Sequence, residues 1–182
     1  LSVNKIYNEL RSQGFKLGKN ILYEFLDAAT AIYLFLLIKK YHGSVLKQEL
    51  SEKKAYAIDN GLLNAITYKF SKDFGKLLEN TIFLELCKRG EGENTYFYKN
   101  RKEVDFVTIE REKVKEIIQV SYSISDRTTL RREIEGLMTA CKTIGIKEAK
   151  IITHSEEELL VEEGIKINII PAYKWILTQP EV

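Results

Sequence analysis

The stretch Glu116-Ile117-Ile118-Gln119-Val120-Ser121-Tyr122 constrains the fold of this 182-residue chain more than any other. Side chains on a strand alternate between two faces, and here both faces are apolar except at Gln119 and Ser121. A strand of that kind belongs in the middle of a sheet covered on both sides, with one polar edge. The surrounding pattern agrees. A helix is predicted from Asp73 to about Lys88, then strands over Asn94–Lys99, Glu103–Ile109 and Val114–Tyr122. The last two are joined by a short polar turn, Glu110-Arg111-Glu112-Lys113. A helix from about Thr128 to Ile144 places Ile134, Leu137, Met138 and Cys141 at i, i+3, i+4 and i+7. Strands Ala149–Thr153 and Ile165–Ile170 flank an acidic segment, 155–163. Pro171 opens a short last helix carrying Trp175. The order α-β-β-β-α-β-β reads as a mixed α/β layer architecture.

The first third has a different pattern. A helix runs from Ser2 to about Gln13 with Val3, Ile6 and Leu10 on one face, and Gly14 stops it. A second helix starts near Gly18-Lys19-Asn20. A β-branched and aromatic run from Ala31 to Tyr41, a polar loop and the run Lys54–Ile58 follow. Helix, helix, strand, loop, strand is a winged-helix order, and its second helix offers Lys16, Lys19 and Asn20 to nucleic acid. A packing module that only orients the next domain fits the same pattern. Asp59-Asn60-Gly61 is a strong turn signal and sets the boundary, giving units 1–59 and 60–182.

Composition excludes several classes. With 45% hydrophobic and 30% charged residues the chain is neither disordered nor collagen-like. Cys87 and Cys141 cannot form a disulfide framework and read as two buried thiols in a reducing cytoplasm. Glu24 and Asp27 interrupt the longest apolar stretch, 21–38, so no membrane helix is expected. The net charge of +2 divides unevenly, with 9 basic and 6 acidic residues in 1–59, a pattern that fits a polyanion contact there or an ordinary solvated surface. The chain opens with Leu1 and its one methionine is Met138, as expected of a piece of a longer protein.

Two carboxylates need explaining. Glu79 lies on the apolar stripe of its helix with Ile82, Phe83 and Leu86, where an unpaired charge is costly. A lysine or arginine, backbone amides or a metal ion should pair with it. Glu85 is off that stripe and reads as solvated. Glu103 and Asp105 share a strand face by the period of two. A turn centred between Arg111 and Glu112 sets Asp105 opposite about Ile118, next to Gln119. Glu79, Asp105 and Gln119 would then converge as oxygen ligands of the kind Mg²⁺ takes. A buried Glu–Lys pair among ordinary strand polar residues is the competing expectation.

These residues also form a familiar series. Lys54-Ala55-Tyr56-Ala57-Ile58-Asp59-Asn60-Gly61, then Gly75–Asn80, then Tyr98–Val107 with Glu103-Val104-Asp105-Phe106-Val107, then Ile118–Tyr122 and Arg132-Glu133, resemble the C-terminal domain of archaeal AAA+ ATPases of the STAND-like group. The second half of that family is similar to PD-(D/E)XK, or restriction-endonuclease-like, nucleases. The resemblance implies a winged-helix segment followed by a mixed-sheet nuclease-like domain. It implies catalytic roles for Glu79, Asp105 and Gln119, with Glu79 and Asp105 as metal ligands for a weakly held Mg²⁺. Gln119 stands where the pattern has Glu, and Ser121 where it has Lys, so the site is expected to be degenerate. Lys99, Lys102 or Lys115 are candidates for a displaced amine. No GxxxxGK[ST] occurs, so ATP is expected on an upstream ATPase segment. The implied function is a cytoplasmic, DNA-binding module of the ATPase, with an active Mg²⁺-dependent endonuclease or a protein-interaction domain, including self-association, as rivals.

Overall fold

The computed structural model describes residues 2–66 and 73–178. The chain runs through α1 (Val3–Ser12), α2 (Lys19–Ala31), β1 (Phe35–Lys40), α3 (Val45–Leu50), β2 (Lys53–Ala57) and α4 (Asn60–Ile66). It continues through α5 (Phe74–Lys88), β3 (Thr95–Lys99), β4 (Glu103–Glu110), β5 (Lys113–Val120) and α6 (Arg127–Ile144). Strands β6 (Glu148–Thr153), β7 (Glu158–Glu162) and β8 (Ile165–Pro171) and helix α7 (Ala172–Leu177) complete it. The fold is mixed α/β. Among the described residues, eight strands form one sheet in the order β2-β1-β3-β4-β5-β6-β8-β7.

The two-sided apolar strand sits where its pattern requires. Ile117 packs in a core with Ile134, Leu137 and Cys141 of α6, while Ile118 packs on the other face with Ile82, Phe83 and Leu86 of α5. Full burial of each such side chain contributes about 1.5–3 kcal/mol, so the two helices clamp the sheet from opposite sides. Local chemistry fixes their ends. The Asp73 carboxylate accepts the Lys76 N–H at 3.2 Å at the start of α5. Asp126 accepts that of Thr129 at 2.8 Å at the start of α6, and Gly145 ends α6 at φ +87°.

Several expectations are corrected. Strand β1 starts at Phe35, because α2 runs on through Ala31 and Tyr33 turns at φ 59°. The loop between β1 and β2 contains α3, and α4 directly follows the Asp59-Asn60-Gly61 turn. Asp59 caps α4 by accepting the Leu62 N–H at 2.8 Å, and a Cβ on Gly61 would lie 2.8 Å from the same carboxylate. The acidic segment 155–163 holds strand β7, whose hairpin with β8 turns at Glu163 and Gly164. Glu85 is largely buried rather than solvated, held by the Arg89 guanidinium at 3.2 Å.

The β1–β2 hairpin is the edge of the main sheet instead of a free wing. Strand β1 pairs parallel with β3 at Lys39↔Tyr96 and Lys40↔Phe97, so one sheet spans residues 59 and 60. Helices α1 and α3 bury no residue and α2 buries only Ala29. Val3, Ile6 and Leu10 do share a face. They line an apolar hollow of about 330 Å³ with residues of α2, β1 and β2.

The β4–β5 turn places Arg111 at φ 49° and Glu112 at φ 64°, both left-handed and neither glycine. Such a position costs a side-chain-bearing residue roughly 1 kcal/mol. Glu112→Gly is expected to raise the urea midpoint by an amount equivalent to about 0.5–1 kcal/mol; an unchanged or lowered midpoint would show that the turn carries no strain.

Candidate functional site

Strands β2 and β4 and helix α5 bring four charged side chains to one point. The Lys54 ammonium, from β2, lies 2.9 Å from Glu79 Oε1, 2.9 Å from Glu103 Oε1 and 2.8 Å from Asp105 Oδ1. The Tyr56 hydroxyl, two residues along β2 and therefore on the same face, donates to Glu79 Oε1 at 2.7 Å. The partner that the apolar stripe demanded for Glu79 is thus a lysine and a phenol.

Two bulges set the geometry. The β4–β5 register slips by one between Thr108↔Glu116 and Ile109↔Val114, and from there Phe106 pairs with Ile118. Asp105 consequently reaches the level of Gln119, not of Ile118. A second slip, between Tyr96↔Val107 and Tyr98↔Val104, puts an extra residue in β4 at Asp105–Phe106. Bulges of this kind bend a strand and re-aim a side chain. Here the Asp105 Oδ2 accepts the Val120 N–H at 3.0 Å, and the Asp105 N–H donates to Gln119 Oε1 at 3.3 Å. Gln119 is therefore adjacent to the cluster, with its carbonyl oxygen on the backbone of Asp105. The Ser121 hydroxyl donates to the Ser123 carbonyl at 3.1 Å.

A second polar layer locks β2 onto α5. Buried Asn80 accepts the Ala57 N–H at 2.9 Å and donates to the Ala57 carbonyl at 3.0 Å, as a neighbouring strand would. It also donates to Asn60 Oδ1 at 2.9 Å, and Asn60 donates to Thr81 Oγ1 at 2.7 Å. The Lys54–Gly61 and Gly75–Asn80 motifs are therefore two halves of one hydrogen-bonded contact.

One ammonium does not neutralise three carboxylates. Burial works to lower the Lys54 pKa, but Asp105 and Glu79 outweigh it and hold the ammonium protonated. Burial raises the Tyr56 hydroxyl far above its usual range, and the nearby Glu79 adds to that. For Glu103 burial is outweighed by Lys54 and Lys99, and its carboxyl falls below the ordinary range. Asp105, the deepest acid, is pushed up to about 7, by burial first and by Glu79 next.

Of the expected replacements for the missing amine, Lys99 touches the cluster, at Glu103 from the rim at 3.3 Å, and Lys102 and Lys115 pair with other acids, Glu135 and Glu91. The amine in the cluster is Lys54, a residue that no period-two argument on β4 or β5 reaches. Its signal was the Lys-x-Tyr spacing on a single strand. The cluster as built surrounds an ammonium, and among the described residues no group of three His, Cys, Asp or Glu side chains is placed to hold a metal ion. Lys16, Lys19 and Asn20 are not part of it. Lys19 lies over the Tyr7 ring at 5.2 Å, Arg11 lies 5.7 Å from the same ring, and Asn20 is in the exposed first turn of α2. Among the described residues no helix is long and apolar enough to cross a membrane.

Lys54→Met leaves mutually repelling carboxylates and is expected to cost about 3 kcal/mol in urea unfolding; no loss would contradict the pairing. Asp105 keeps its proton to higher pH when folded than when unfolded. The stability it contributes is complete below the unfolded carboxyl value and is lost as pH rises through about 7. Wild-type stability is expected to fall between mildly acidic and mildly alkaline pH, with the fall reduced in Asp105→Asn; equal slopes in the two proteins would refute the assignment.

Residues 74–175 match the family described as a domain of unknown function, DUF4143. An uncharacterized protein of Methanocaldococcus jannaschii is 35% identical over 187 residues, covering 98% of this chain and 41% of that protein. An uncharacterized protein of Haemophilus influenzae is 26% identical over 125 residues, covering 69% of this chain and 31% of that one. The chain thus spans less than half the length of these curated relatives. No solved structure matches it.

Proposed function

The chain belongs to the DUF4143 family, and from that premise we propose that it is a nuclease-like, DNA-contacting module of a larger ATPase in which the nuclease site is degenerate. One observation supports this reading: the Lys54 ammonium lies within 2.9 Å of Glu79, Glu103 and Asp105, two of which the resemblance assigns as metal ligands. Glu79 and Asp105, which the resemblance assigns as the helix acid and the strand acid, reach the same ammonium at 2.9 and 2.8 Å. The third acid is Gln119, whose carbonyl oxygen is taken by a backbone N–H, and the lysine position is Ser121, whose hydroxyl is taken by a carbonyl. With those two groups changed and an internal cation in place, the cluster holds β2, β4 and α5 together and hydrolyses nothing.

The placement beside an ATPase rests on the resemblance to ATPase C-terminal domains, and the M. jannaschii relative has room for such a segment beyond the part it shares. Contact with DNA is supported by the basic excess of residues 1–59 and by Arg11 and Lys19 gathered around Tyr7. Binding through such residues releases counterions from the phosphates, so affinity should drop steeply with salt.

The module is expected to bind duplex DNA at low salt, to lose most affinity at physiological salt, and to weaken on Arg11→Ala with Lys19→Ala. It is expected to leave plasmid, linear and branched DNA uncut with Mg²⁺ or Mn²⁺. Efficient cutting that Asp105→Ala abolishes would overturn the degenerate reading, and absence of duplex binding at low salt would overturn the DNA-contacting one.

A further inference from the structure

The two edges of the sheet differ in chemistry. At one end β2 carries Lys53 and Lys54, and Lys54 points into the acidic cluster. Lysines and inward-pointing charges keep an edge strand from pairing with another chain. At the other end β7 has no lysine, no proline and no bulge, and its five residues pair with β8 in unbroken antiparallel register. Alternate residues of such a pair turn their N–H and C=O groups away from the neighbour. Counted from the two-residue turn at Glu163-Gly164, those residues of β7 are Leu159 and Val161. Their side chains share a sheet face and are 58% and 68% exposed. Among the described residues β7 therefore offers, on one edge, backbone groups that no strand uses and apolar side chains that nothing covers.

The charge along this edge is acidic. Residues 155–163 include Glu156, Glu157, Glu158, Glu162 and Glu163, and no lysine or arginine. The cations of neighbouring elements are taken: Lys174 of α7 pairs with Glu157, Lys142 of α6 with Glu163, and Lys166 of β8 with Glu148. Glu156 accepts from the Ser123 hydroxyl and the Ile124 N–H. The exposed carboxylates of Glu158 and Glu162 have no hydrogen-bond or ion-pair partner among the described residues. They flank Leu160, which packs against the core beneath α6. A second β7 laid antiparallel and centred on Leu160 would set Glu158 of each copy against Glu162 of the other, and like charges directly opposite are destabilising. Lysine or arginine at those two places would be favoured instead.

We propose that β7 is a docking edge for an extended, basic segment of a partner protein, which adds a ninth strand to the sheet. Backbone hydrogen bonds to Leu159 and Val161 hold the segment. Its apolar side chains, at alternate positions, cover theirs, and its lysines or arginines on the other face meet Glu158 and Glu162. Strand addition of this kind draws affinity from main-chain bonds and specificity from alternate side chains. The edge lies at the far end of the sheet from β1 and β2 of the basic first third, so the contact is separate from the DNA-contacting reading and does not depend on it.

The test uses the full chain and short labelled peptides of equal length at low salt: an alternating Lys–Val peptide, its fully N-methylated version and an alternating Glu–Val peptide, with sedimentation of the chain alone in parallel. The Lys–Val peptide is expected to bind about ten-fold more tightly than either of the others. Glu158→Lys with Glu162→Lys should reverse the preference toward the Glu–Val peptide. Val161→Pro, which removes an outward N–H, should abolish binding. Equal binding of the Lys–Val peptide and its N-methylated version overturns strand addition. An unchanged preference in the double variant, which keeps the backbone of β7, overturns β7 as the site, and no binding of the Lys–Val peptide overturns the inference outright. A dimer of the chain alone that Val161→Pro abolishes overturns the basic partner in favour of a second copy.

Discussion

An ammonium shared by three carboxylates stays buried only if every partner is held rigidly in place, and in this chain that demand falls on three separate elements. Lys54 comes from an edge strand, Glu79 from a helix on one face of the sheet, and Glu103 and Asp105 from a strand two places inward from β1. Removing Lys54 leaves three carboxylates uncompensated in a partly desolvated place, which costs far more than the intact cluster contributes. The β1–β2 hairpin reaches the rest of the sheet through only two register pairs of β1 with β3. What fixes β2 against α5 is therefore the polar contact of Lys54, Tyr56 and Ala57 with Glu79 and Asn80.

Much of this was legible in the sequence. Ile117 and Ile118 pointed to a strand covered on both faces, and α6 and α5 supply the two covers. Glu79 on an apolar stripe required a partner, and it has one. What escaped was the identity of that partner, because Lys54 meets Glu79 across 25 residues and neither helical nor strand periodicity spans such a gap. The level of Asp105 was off by one residue for a related reason. A bulge is an insertion in the pairing, and the sequence of β5 alone does not show that Thr108↔Glu116 is followed by Ile109↔Val114. Helices α3 and α4 and strand β7 are five to seven residues long, and their residues alternate too weakly to separate them from loop. Leu159 and Val161 of β7 are exposed on an edge strand flanked by glutamates, so no buried face marked it.

Gln119 and Ser121 each have a local hydrogen-bonding role. A glutamate at Gln119 would set a fourth carboxylate beside Asp105, whose proton is already held to about 7 by burial and by Glu79. Its amide carbonyl instead completes the Asp105 N–H at the bulge.

The central claim is that an internal ammonium holds the place of a cation among Glu79, Glu103 and Asp105. A crystal structure of the wild-type chain grown in Mn²⁺, with anomalous scattering recorded for manganese, tests it directly. The account predicts the Lys54 ammonium in contact with all three carboxylates and no anomalous peak between them. A manganese peak ligated by Glu79 and Asp105, with Lys54 turned away, would contradict it.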